Sequence, residues 1–130
     1  KAKVLADSQN VEVNYRVEDL FEFDWSIKKY DNVVGIFFQF VPSDRIKQIL
    51  VGLQTATKKD GILMIHGYTP DQIEFATGGP KDVTQMYTKE TFEDALKDIE
   101  ILVNHEYEMY ISEGKGHYGQ SALIDFVARC

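Results

Sequence analysis

Four groups of residues in this 130-residue chain could do chemistry, and each sits where the chain is expected to turn or end a strand. His117 lies beside Tyr118 in the glycine-rich stretch Ser112-Glu113-Gly114-Lys115-Gly116-His117-Tyr118-Gly119-Gln120. Imidazole titrates near neutrality, so a histidine on a ligand-facing turn can serve as a general base or hydrogen-bond a substrate. A turn histidine with no function fits the same spacing. Thr77-Gly78-Gly79-Pro80 presents two adjacent backbone N–H groups without side chains. A ligand can approach them closely, or the pair is a tight turn that needs glycine for positive φ. Asp19 can accept a hydrogen bond from an exocyclic amine, or cap the turn Glu18-Asp19-Leu20. Gln39 can orient a polar group at the end of an apolar run, while Phe37, Phe38 and Phe40 around it either wall a flat ligand or fill the core.

Other chemistries find no support. His66, His105 and His117 are too scattered for a metal site, and His105 is in phase with Ile101, Val103, Tyr107 and Met109, which predicts a core or half-buried residue. Gly114, Gly116 and Gly119 join two expected antiparallel strands and open no helix, so they cannot cradle phosphate. There is no Gly-x-Ser-x-Gly elbow, no Walker loop and no His-Glu-x-x-His helix. The carboxylates fall mostly on helix faces and turns, which does not suit a two-acid hydrolase.

Alternation and apolar runs predict the elements that must position these residues. Residues 1–8 read as the tail of a helix, and 11–17 alternate with period two as a strand. Val33 to Phe38 is a continuous apolar run, as in a strand covered on both faces. A helix opens at Pro42-Ser43-Asp44, with Ile46, Ile49, Leu50 and Leu53 on one face and Gly61 after Lys58-Lys59 as its stop. Residues 62–66 form a second buried strand, followed by the long Gly/Pro/Thr loop 67–80. Thr88 caps a second helix with Phe92, Ala95, Leu96 and Ile99 on its apolar face. Two strands, about 100–111 and 121–128, flank the glycine-rich turn. The pattern is an α/β, mostly parallel sheet with an antiparallel C-terminal hairpin strand, in a single domain covering 1–130. Right-handed crossovers bring the loops after 17, 38, 68 and 111 to one edge, where open α/β sheets bind ligands.

Composition narrows the partners. With 14 basic and 21 acidic residues the formal charge is −7, which argues against nucleic acid or an anionic membrane as the main partner. The single cysteine excludes a disulfide framework and makes a cytoplasmic location the default expectation. Lys1 is not an initiator methionine, and the chain is expected to be cut from something longer.

Taken together, several pieces resemble the class I S-adenosylmethionine-dependent methyltransferases, and within them the small tellurite-resistance-like branch. Residues 1–6 resemble the helix after that fold's second strand, and Glu18-Asp19-Leu20 the acidic motif after its third. Tyr30-Asp31-Asn32-Val33-Val34 resembles the start of its fourth strand. Lys58-Lys59-Asp60-Gly61 resembles the turn before the fifth, with Asp60 in place of the usual proline. Gly67-Tyr68-Thr69-Pro70-Asp71-Gln72, Thr77-Gly78-Gly79-Pro80 and Glu113-Gly114-x-x-His117-x-Gly119 are the most specific pieces.

The resemblance implies methyl transfer from S-adenosylmethionine to a small-molecule acceptor in the complete protein. Asp19 and Leu20 would meet the adenine, and Phe37 and Phe38 would border the cofactor. Tyr68, Thr77, Gly78, Gly79 and Tyr87 would shape the acceptor pocket, with His117 and Gln39 as catalytic candidates. Relatives often carry histidine where this chain has Gln39. The family's glycine-rich cofactor loop and first two strands, roughly 60 residues or more, would precede Lys1, so this stretch alone is expected to be inactive. In the family strand order 3-2-1-4-5-7-6 those strands lie between 11–17 and 33–38. The Val33–Phe38 edge would then be open to a homodimer or strand swap. The reading from another class is a non-enzymatic α/β binding or assembly module using the same rim.

Overall fold

The computed structural model describes residues 1–114 and 116–130. The chain runs α1 (Ala2–Ser8), β1 (Tyr30–Ile36), α2 (Ile46–Ala56), β2 (Thr57–Tyr68), α3 (Gln72–Phe75), α4 (Lys89–Ala95), β3 (Glu100–Ser112) and β4 (Tyr118–Arg129), with a 3-10 turn at Val83–Gln85. The four strands form one sheet in the order β1-β2-β4-β3. β1 pairs parallel to β2, and β4 pairs antiparallel to both β2 and β3. Three strands therefore run one way and β4 against them, as the run-and-hairpin pattern predicts.

The core lies on one face of the sheet. Leu63 and Ile65 of β2 and Ile124, Phe126 and Ala128 of β4 meet Ile49, Leu50 and Leu53 of α2, Phe92 and Ala95 of α4, and Leu96 just after it. These helical residues carry the i, i+3, i+4 spacing that puts them on a single stripe. On the other face, cross-strand pairing sets up successive rows. Tyr68, Leu123 and Tyr107 form one, and His66, Asp125 and His105 the next. Val34, Met64, Val127 and Val103 form the third.

Several expectations are corrected. Residues 11–17 form no strand: they are exposed, with Val17 fully in solvent. Alternation prepares a segment to pair, but a strand exists only when it finds a partner strand; here the Val11 N–H meets the Ala6 carbonyl at 3.1 Å and no described strand pairs with the segment. The helix ends at Ala56, and the expected stop at Lys58–Gly61 lies inside β2 as a bulge. There Asp60 takes a left-handed φ of 64° and donates its N–H to the Cys130 carbonyl at 2.6 Å. Gly61 is required because a Cβ would fall 2.8 Å from the Asp31 carbonyl oxygen. β2 extends to Tyr68, so Gly67 and Tyr68 belong to the sheet, and the loop beyond carries α3. His105 is exposed and stacks on Tyr107 at 5.5 Å, because β3 is an edge strand and this face is open.

Candidate functional site

At the carboxyl ends of β1 and β2, beneath residues 79–80 and 116–117, lies a cleft of about 410 Å³. Phe37, Tyr68 and His117 give it aromatic walls, Gln39 and Gln85 its amide groups, and Gly79, Pro80 and Gly116 its rim. β1 ends at Ile36, and Phe37 turns sharply, with φ at 47° and its N–H bonded to the His66 carbonyl at 3.0 Å. A bulky residue in the left-handed region is uncommon and costs about 1–3 kcal/mol, so the surroundings must hold it there. The turn places the Phe37 ring between two histidines. It stacks on His117 with centroids 4.4 Å apart and meets His66 edge-on at 4.7 Å. Tyr68 completes the cluster 4.8 Å from Phe37.

His117 is tied down as well as stacked. Its Nδ1 lies 2.7 Å from the Tyr68 hydroxyl. Burial, and then the Glu113 carboxylate, push the Tyr68 phenol above its ordinary range, so it stays protonated. Gly78 and Gly79 are glycine for a steric reason: a Cβ on Gly78 would sit 2.9 Å from the Tyr68 hydroxyl, and one on Gly79 2.9 Å from its ring. Gly79, at φ 85°, also needs the left-handed freedom of glycine. The two residues let the loop close onto Tyr68.

Other sequence candidates are placed differently. Gln39 is buried, and its amide is engaged by the Tyr68 backbone: Oε1 accepts from the Tyr68 N–H at 2.6 Å and Nε2 donates to the Tyr68 carbonyl at 2.8 Å. It positions Tyr68. Phe38 turns into the core, its ring 5.7 Å from that of Tyr87. Tyr87 is buried against Phe92, and its hydroxyl has no partner among the described residues. Burial lifts its phenol far above the usual range. Neither lines the cleft. Thr77 Oγ1 donates to the Gln120 carbonyl at 2.6 Å, pinning the 76–80 loop to β4. Asp19 is exposed and uses Oδ1 to accept from the Phe21 N–H at 2.8 Å, which is the turn-capping geometry; Leu20 packs on the core.

Two contributors were not among the sequence-predicted site residues. Gln72, fully buried, accepts from the Ala122 N–H at 2.8 Å and donates to Thr77 Oγ1 at 3.0 Å and the Gly78 carbonyl at 3.2 Å. It joins α3, the glycine loop and β4. His66 Nδ1 lies 2.7 Å from Asp125 Oδ1 across the β2–β4 pair, and burial, then the Asp125 carboxylate, push the Tyr107 phenol to about 12. Because that phenol's folded pKa lies above its ordinary value of about 10, its contribution to stability is complete below pH ~10 and is lost as pH rises toward ~12. Denaturant midpoints followed from neutral to strongly alkaline pH are expected to fall across that window, and to fall less in Tyr107→Phe.

No family model matches the chain, and no curated protein sequence matches it. Comparison with solved structures identifies the fold as part of the class I S-adenosylmethionine-dependent methyltransferase fold. TehB from Haemophilus influenzae superposes with a TM-score of 0.69 at 18% identity, over 98% of this chain and 44% of that one. A methyltransferase from Anabaena variabilis gives 0.67 at 17% identity over 98% of this chain and 63% of its own, and one from Clostridium acetobutylicum gives 0.66 at 13%, over 98% and 69%. The chain thus spans less than half the length of TehB. Among the described residues no helix is long and apolar enough to cross a membrane.

Proposed function

We propose that this chain forms the acceptor side of an S-adenosylmethionine-dependent methyltransferase acting on a small molecule. The observation that carries the reading is the aromatic cleft at the carboxyl ends of two parallel strands, on a fold shared with methyltransferases. S-adenosylmethionine supplies a methyl group on a sulfonium cation. The residues suit its neighbourhood in two respects. The Phe37 face can meet positive charge through its quadrupole, and Asp19 commits only one carboxylate oxygen to its own turn, leaving the other for an adenine amine. Catalysis would rest mainly on alignment in a desolvated cleft, which the Gln39 and Gln72 clamps serve by fixing Tyr68 and the glycine loop.

The test is a methyl-transfer assay with labelled cofactor on the gene product, across thiols, amines and halides, with His117→Ala beside the wild type. Transfer is expected, with kcat/KM down about tenfold or more in the variant. No transfer to any acceptor would favour a non-enzymatic binding module at the same rim.

The second copy of this chain is the partner the reading offers. β1 pairs on one side only among the described residues, and Val34 and Ile36 on it are exposed. Such an edge invites pairing with another strand. Light scattering is expected to give a dimer for the 130-residue chain and a monomer for Val34→Lys; a monomeric wild type would reject the interface.

A further inference from the structure

The two histidines that flank Phe37 are held by partners of opposite hydrogen-bonding character. His66 Nδ1 faces the Asp125 carboxylate at 2.7 Å. An ionised carboxylate only accepts, so the proton sits on His66 Nδ1 and its Nε2 keeps a lone pair. His117 Nδ1 faces the hydroxyl of Tyr68, a residue almost wholly buried, at 2.7 Å. A buried hydroxyl must donate or forfeit a hydrogen bond, and among the described residues the His117 ring is its one side-chain partner. Tyr68 therefore donates to Nδ1, and His117 carries its proton on Nε2. Three features hold this arrangement: the Gln39 clamp on the Tyr68 backbone, the Phe37 stack, and the approach of Gly78 and Gly79 to the Tyr68 ring.

We infer that His117 meets the acceptor as an Nε2–H hydrogen-bond donor, with Tyr68 as its positioning residue, and does not act as a general base. The class of acceptor follows, resting on the methyl-transfer reading. A donor occupies one lone pair of the attacking atom, so that atom needs a second pair for the methyl carbon and no proton to surrender. A thiolate or a halide satisfies both conditions; an amine, with a single lone pair, does not. In the step itself, the free pair forms the bond to the methyl carbon and the methyl–sulfonium bond breaks with its electrons going to sulfur. No proton moves, so the absence of a base at His117 costs nothing.

The first test needs no turnover. In the protein labelled with ¹⁵N-histidine, two- and three-bond imidazole correlations at mildly alkaline pH are expected to show His117 as the Nε2–H tautomer and His66 as the Nδ1–H tautomer. Sodium thiocyanate, a small soft anion, is expected to shift the His117 Nε2–H signal saturably. Tyr68→Phe should weaken the thiocyanate response while the His66 pattern persists. An Nδ1–H signal at His117, or no saturable response to thiocyanate, overturns the inference. The second test uses turnover: His117→Gln, which can donate but cannot act as a base, is expected to keep activity within about threefold of wild type where His117→Ala loses about tenfold or more. Equal loss in both variants overturns the donor role. Failure of the methyl-transfer reading would appear separately, as no labelled product with any acceptor while the tautomers and the thiocyanate response remain as stated.

Discussion

Phe126→Ala is expected to lower the unfolding free energy by about 3–5 kcal/mol. Phe126 has no exposed surface, stacks on Phe92 at 4.5 Å, and joins β4 to the α2 and α4 layer. Its truncation removes the transfer free energy of an aromatic ring and leaves a void bounded by a sheet on one side and short helices on the other. α4 has only seven residues and depends on this packing, since isolated helices of that length do not persist in water. Urea titration followed by fluorescence and circular dichroism would measure the loss. With domain stabilities of about 5–15 kcal/mol, the variant would sit near its threshold at room temperature. A loss below about 1 kcal/mol would mean that the core does not run through this face of β4.

Gln39→Leu is the second large effect, and it separates a positioning role from a chemical one. Leucine matches the volume but removes both bonds to Tyr68. The Tyr68 carbonyl still receives the Tyr87 N–H at 3.0 Å, so the group left without a partner is the Tyr68 N–H. A buried orphan of this kind costs about 1–3 kcal/mol. The same change frees Tyr68 to move relative to His117, so the ligand response of the cleft should weaken alongside the drop in stability. A residue acting on the acceptor alone would weaken the response with the denaturation midpoint unchanged. Measuring both on one preparation decides between them.

Much of the fold was legible because its signals are local. The apolar runs 33–38 and 62–66 mark the buried strands by their length and composition, and the helix stripes at 46–53 and 92–96 repeat at a period that sets which way side chains point. The site was legible only in outline. Glycines 78 and 79 and His117 stood out through their turn chemistry, and the structure brings all three to the Tyr68 ring. Gln39 stood out as a polar group at a strand end, yet nothing in its neighbours foretold that its amide would be spent on a backbone 29 residues away. Phe37 read as core or cofactor border, because no local pattern announces a phenylalanine in the left-handed region.

By itself, the sequence determined the order and type of most elements, the sidedness of the helices, and the rim on which the loops gather. These follow from periodicity, apolar runs and turn residues, all properties of a few neighbouring positions. The tertiary structure alone decided which alternating segment becomes a strand, since 11–17 alternates as a strand should and stays unpaired among the described residues, while β1 finds β2. It alone decided which polar groups meet: His117 with Tyr68 across 49 residues, and His66 with Asp125 across 59. Hydrogen-bond partners and proton positions depend on distances set by strand register and loop closure, and no spacing along the chain encodes those directly.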